Sequence, residues 1–294
     1  MAEENRQENG RALVIIRSAV PRKFADFSVK VISSLSALLG IAILVWILFE
    51  VIKRGSAALN WSFFIHLPTP PNIEGGGLAN AILGTSMITL LATLAGVPIG
   101  LLAGVYLAEF GQNTRLGSMV RFTSNVMMGV PSIIVGLFVY TLLVLPWHHF
   151  SGYAGAASLA IIMLPIVART TEDMLRMVPN SLRESALALG APCWKATLEV
   201  VFRAAKAGLI TGVLLAIARV SGETAPLLFT SLNSPFWPQS LSQPTANLTV
   251  TIFNYAMSPY SNWQEIAWGA SLLIMVAVLA LTVVARFILK EAKK

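Results

Sequence analysis

Six apolar runs dominate this chain, at residues 31–52, 79–108, 122–145, 155–169, 207–229 and 266–289. Each is read as a crossing of about 30 Å of hydrocarbon. Inside lipid every backbone polar group must be satisfied within the protein, so a crossing is either a helix or a strand of a closed barrel. None of the six shows the alternation of a barrel strand, so all are expected as helices. Composition agrees, with 55% of residues hydrophobic and 12% charged, against about 25% charged in an ordinary soluble domain. The fold class that follows is an all-α polytopic membrane protein with six transmembrane helices. The fourth run is short before Arg169 and is expected to extend through Thr171 or to begin at Tyr153.

Residues 1–28 are polar and mixed in charge. The apolar run after them reaches Phe49 and is followed by Lys53 and Arg54 rather than by a small-residue cleavage site, so it reads as a retained first span. The organisation expected is a terminal segment 1–28, a first span 29–54, an outer loop 55–77, a five-helix domain 78–289 and a tail 290–294. Lys and Arg set the orientation. Eighteen lie in the segments to Lys30, 109–121, 169–206 and 286–294, against two, Lys53 and Arg54, in the alternate loops. That asymmetry puts both termini in the cytoplasm. The net charge of +7 is therefore a topology signal beside lipid and not a nucleic-acid footprint.

The stretch 165–228 carries the unusual chemistry. Ser181 and Glu184 have the spacing of a capping box, which predicts a helix from Leu182 that ends at Gly190, before Pro192. Such a helix of about two turns is too short to stand alone and must dock. Leu182, Ala186 and Leu189 share one face, where small side chains would admit a partner surface. Further on, Arg219 and Glu223 lie four residues apart on one helical face within an apolar run. A charge deep in a bilayer costs roughly 2.5–3.5 kcal/mol on insertion scales, which points to function. Gly222 lies between them and Pro226 follows, so the helix is expected to kink or break there. Two readings stand for the pair: a site for an anion, or a clasp between helices. Two also stand for Arg169, which shares a face with Glu172: a pore-facing cation, or a side chain reaching to the headgroups.

Gly96, Gly100 and Gly104 form a strip that lets another helix approach, with Pro98 bending it. Gly129-Val130-Pro131-Ser132 reads as ordinary kink chemistry in the third span. The outer loops carry Trp61, Phe63, Phe64, Trp237, Tyr255, Tyr260 and Trp263, an interfacial belt or a docking surface. The single Cys193 allows no internal disulfide, and His66, His148 and His149 show no ligand spacing, so no metal site is expected. No phosphate-binding Gly-x-x-x-x-Gly-Lys loop, serine elbow or His-Glu-x-x-His is present, so a non-catalytic chain is expected.

Glu184-Ser185-Ala186-Leu187-Ala188-Leu189-Gly190 resembles the "EAA" motif of type I ABC importer permeases, with Ser185 in place of an Ala and Arg203 where the family usually has Pro. Gly76–Thr85 and Val130–Gly136 look like segments of phosphate-importer permeases, and Arg219-Val220-Ser221-Gly222-Glu223-Thr224-Ala225-Pro226 is similar to their fifth-span signature. Of the two paired phosphate permeases, the chain looks more like the A-type. The resemblance implies a permease fold over 78–289 in a bacterial inner membrane. It implies a second homologous permease subunit, two ATPase subunits holding ATP and Mg, and a periplasmic phosphate-binding protein, with no cofactor on this chain. It also implies that Glu184, Ala186, Leu189 and Gly190 couple to an ATPase; with phosphate as the cargo, the charges in the apolar runs make Arg219, held by Glu223, the expected pathway cation and Arg169 a second candidate. The competing expectations are an importer for another oxyanion and a membrane scaffold that transports nothing.

Overall fold

The computed structural model describes residues 19–73 and 75–291, with side chains described from 26 to 287. Most of the terminal segment 1–28 and of the tail 290–294 lies outside these residues. The chain divides into two units between Glu50 and Val51. In the first, helix α1 (Ala19–Ala58) begins, and its apolar side chains, Leu35, Leu39 and Trp46 among them, are exposed. The last turns of α1 belong to the second unit, where Gly55 lies against the carbonyl of Trp268 and the side chain of Leu272.

The second unit continues with α2 (Trp61–Ile65), α3 (Ala79–Phe110, ending in a π-helical turn at Tyr106–Phe110) and α4 (Arg115–Gly129). After a break come α5 (Ser132–Trp147), α6 (Gly152–Arg176) and α7 (Asn180–Ala188). Then follow α8 (Cys193–Val220), α9 (Ala225–Thr230), α10 (Leu248–Ala256) and α11 (Ser261–Glu291). Side-chain caps start several of these helices. Thr114 Oγ1 accepts from the Gly117 amide at 2.9 Å, Ser151 Oγ from Ala154 at 3.1 Å and Asn247 Oδ1 from Val250 at 2.9 Å.

The centre of the unit is the α3–α6 pair. A Cβ at Gly100 would meet the Val167 side chain at 2.8 Å, and one at Gly104 the Ala168 carbonyl at 2.5 Å, so the glycine strip brings α6 to near backbone contact. Ile88, Ala92, Leu159, Met163, Val167, Val220 and Leu227 fill the core around that seam.

Among the described residues, five helices are long and apolar enough to cross a membrane, and a sixth crossing exists if α4 and α5 count as one broken span bent by 104°. The third span is therefore not a helix with an ordinary kink. Pro131 lacks an N–H and pushes Val130 to an extended conformation (φ −73°, ψ 130°), so α4 ends and α5 starts afresh. The fourth span runs from Gly152 to Arg176, longer at both ends than the sequence run, because its charged final turns are partnered inside the protein. The fifth run does break. Helix α8 ends at Val220, residues 221–224 form a turn, and Pro226 sits in the first turn of α9, where its missing N–H costs nothing.

The capping box at Ser181 and Glu184 does not form. Helix α7 starts at Asn180 behind Pro179, with no side-chain cap, and Ser181 lies within its first turn. Its carbonyl accepts from the Ser185 hydroxyl at 2.7 Å. Pro179 is held near φ −57° and sets the entry angle by itself. The end is as expected, with Gly190 at φ +82° in the left-handed region.

Candidate functional site

The two breaks come together in space. Helix α5 crosses α9 so closely that a Cβ at Gly136 would lie 2.6 Å from Pro226 Cα. Beside that crossing is a cavity of about 430 Å³ lined by Met127, Met128, Pro131, Ser132, Ile162 and Arg219, among others. Its walls are largely apolar. Ser132 and the guanidinium of Arg219 provide the side-chain hydrogen bonding, and the N-terminus of α5, with its partial positive charge, borders the same space.

Arg219 is 62% exposed and its Nη2 is 3.8 Å from Glu223 Oε1, an ion pair looser than a hydrogen bond. Glu223 is better fixed than its partner. Its side chain is only 16% exposed, its amide donates to Val220 O at 3.1 Å and its carbonyl accepts from Thr249 Oγ1 at 2.9 Å. Gly222 makes the intervening turn, its amide 3.3 Å from Arg219 O. The structure thus brings together Arg219, Glu223, Gly222 and Pro226. A guanidinium held at one side by a carboxylate keeps most of its donors for an anion with several oxygens.

Arg169 belongs elsewhere. Its Nη1 is 3.1 Å from Glu172 Oε2 and its Nε 3.6 Å from Asp173. Glu172, fully buried, also receives Arg121 Nε at 2.6 Å and Arg176 Nη2 at 2.7 Å. Arg121 donates further to the carbonyls of Leu107 at 2.9 Å and Gly111 at 3.1 Å, which fastens α4 to the end of α3. One buried carboxylate surrounded by three guanidiniums is a clasp among α3, α4 and α6. Arg169 keeps 37% of its side chain exposed and lies in this cluster, apart from the residues that line the Arg219 cavity. Sequence reading singled out neither Arg121 nor Arg176. The signal available for Arg176 was its i, i+4 spacing to Glu172.

With this geometry in hand, the likenesses to known proteins are informative. The family described as "binding-protein-dependent transport system inner membrane component" matches residues 96–292. The "phosphate transport system permease protein PstA" of Yersinia pestis is 49% identical over 263 residues, 90% of this chain and 89% of that protein. The protein of the same description from Haemophilus influenzae is 47% identical over 262 residues, 89% of this chain and 93% of that one. The chain belongs to the PstA-type permease family. An inward-facing form of the MetNI methionine ABC transporter has the same fold, with a TM-score of 0.63 at 19% identity over 74% of this chain and 96% of that one.

In this PstA-type permease the EAA segment is α7 with the turn after it. Glu184 and Gly190 are exposed, Leu182 is 43% exposed and Leu189 is 89% exposed. Ala186 is the buried member of this segment. It is buried at 8% because α7 lays that side on the π-helical turn of α8 at Ala196–Val201. Ala186 seats the helix, while Leu182, Leu187 and Leu189 are exposed. Elsewhere, Trp263 Nε1 at the start of α11 donates to Thr69 O at 3.2 Å and the Trp263 ring stacks on Tyr255 of α10 at 4.5 Å. The segment between α2 and α3 is thereby joined to the start of α11.

Proposed function

We propose that this chain is one of two permease subunits of an ATP-driven phosphate importer in the bacterial inner membrane, with both termini in the cytoplasm. The observation that carries the reading is Arg219: an exposed guanidinium with one loose partner, opening on a cavity at the junction of two broken spans. Broken spans with helix ends at the break are where transporters place substrate. Phosphate carries one to two negative charges and several acceptor oxygens, which suit the planar fork of arginine. The apolar remainder of the wall makes the contact transient, as passage requires. Glu223 balances the cation when no anion is present and competes with phosphate for it, so the ion is not trapped.

The partners that complete this reading are a second, homologous permease facing the same cavity, two ATPase subunits beneath the EAA helices, and a periplasmic phosphate-binding protein on the outer loops. Nucleotide-driven closure of the ATPases moves the permeases between inward- and outward-open arrangements, a rigid-body form of alternating access. This chain performs no hydrolysis of its own; ATP and Mg sit on the ATPase subunits. The PstA relatives support phosphate as the cargo.

The test is reconstitution of the purified complex in liposomes with the binding protein outside and ATP inside. Accumulation of radiolabelled phosphate that requires ATP, and that excess sulfate does not suppress, is expected. Preferential uptake of sulfate would make the chain an importer for another oxyanion. Absence of anion flux with every partner present would make it a scaffold.

A further inference from the structure

Arg183, next to the EAA glutamate on α7, has no part in the reading above, yet it is among the most fully bonded side chains among the described residues. Its Nε and Nη2 donate to Glu109 at 3.2 Å and 2.8 Å. The second Nη2 proton goes to Leu175 O at 2.7 Å, and Nη1 serves Val178 O at 2.7 Å and Asn180 Oδ1 at 3.2 Å. These account for all five guanidinium donors. Both side chains are largely removed from solvent, 19% and 11% exposed. Glu109 lies in the π-helical turn that ends α3, a local widening of the kind found at functional places in helices. Leu175 lies at the end of α6 and Val178 in the turn after it, where carbonyls left without intrahelical partners favour a cation.

A side chain with no free donor binds no substrate. It fixes the relative position of three pieces: α7, the end of α3 and the end of α6. Those two long helices are already joined along Gly96, Gly100 and Gly104, and Ile161, Ile162 and Ile166 of α6 line the Arg219 cavity. A continuous set of packed contacts therefore runs from α7 through Arg183 to α6 and on to the cavity wall. We propose that Arg183 and Glu109 are the positioning pair that converts displacement of the EAA helix into movement of α3 and α6. The inference rests on the reading of α7 as the ATPase-facing helix. Lysine cannot replace Arg183, because one ammonium cannot reach a carboxylate and two carbonyls in the directions of the fork.

The experiment uses the whole complex in liposomes, with Arg183→Ala, Arg183→Lys, Glu109→Gln and the Arg183→Ala/Glu109→Gln double variant. Retained ATPase, the amount of ATP hydrolysed and phosphate taken up per ATP are measured in each. All four variants are expected to keep the ATPase and hydrolyse ATP, while uptake per ATP falls roughly tenfold, and the double variant falls no further than Arg183→Ala. Glu109→Gln is nearly isosteric, so it keeps the question answerable if removing Arg183 unfolds the loop. Unchanged uptake per ATP in Glu109→Gln and Arg183→Lys overturns the proposal. So do losses that multiply in the double variant, and so does release of the ATPase from all three single variants, which would make the pair a docking contact. A wild-type complex that purifies without an ATPase defeats the importer reading itself, and this inference with it.

Discussion

Two arginine–glutamate groupings in this permease use the same chemistry to opposite ends. At Glu172 the carboxylate is fully buried and three guanidiniums close on it, two of them within 2.7 Å. At Arg219 the guanidinium is the accessible member, with a single carboxylate 3.8 Å away and a cavity beside it. The first sits on an unbroken helix and joins neighbours. The second sits where a helix stops. A charge is bound or available according to how many of its hydrogen-bonding directions the fold has already used. On that measure Glu172 is saturated and Arg219 is not.

The sharpest way to break the contrast is Arg219→Ala. Phosphate uptake is expected to fall by more than about 100-fold with the complex still assembled, since a lost charge-assisted contact in a low-dielectric pathway is worth several kcal/mol. Uptake near the wild-type level, measured in the same liposomes, would return Arg219 to the status of a clasp. Glu172→Ala comes next and should act on stability instead. Removing the one carboxylate leaves three cations together, at a cost of about 3 kcal/mol, the low end for a buried pair because the guanidiniums reach solvent. A thermal melt of the detergent-solubilised complex should show a clear drop, and an unchanged melt with lost uptake would erase the distinction between the two groupings. A milder effect is predicted for Glu223→Gln. It frees Arg219, so phosphate should be held longer, with KM and turnover both lowered about fivefold; a raised KM would show that Glu223 orients the arginine instead of competing for it. The smallest change is expected from Gly190→Ala. Nothing lies within 4 Å of the added methyl, so only the left-handed backbone (φ +82°) is strained, by about 1 kcal/mol. A bulkier Gly190→Trp, placed beside the exposed Leu189, should additionally weaken co-purification of the ATPase.

Local patterns were legible in the sequence where the outcome depends on neighbours along the chain. The glycine strip at 96, 100 and 104 announced a close helix partner, and Gly222 with Pro226 announced a break, because both follow from spacing and backbone chemistry alone. At Pro131 the sequence suggested an ordinary kink, and the chain instead turns by 104°, because an extended Val130 before the proline ends α4. The capping box failed because Pro179 had already set the start of α7. The Arg121 arm of the clasp and the pair at Arg183 were beyond local reading. Arg121 reaches Glu172 from 51 residues away and Arg183 reaches Glu109 from 74, so neither leaves a periodic trace.

The crossing of Gly136 and Pro226 has one more consequence. With backbone resting on backbone, no side-chain rotamers lie between the two short helices to absorb displacement. A contact of this kind acts as a fulcrum without play: a tilt of α5 about that point is expected to carry α9 with it, and with α9 the turn at 221–224 beside the cavity.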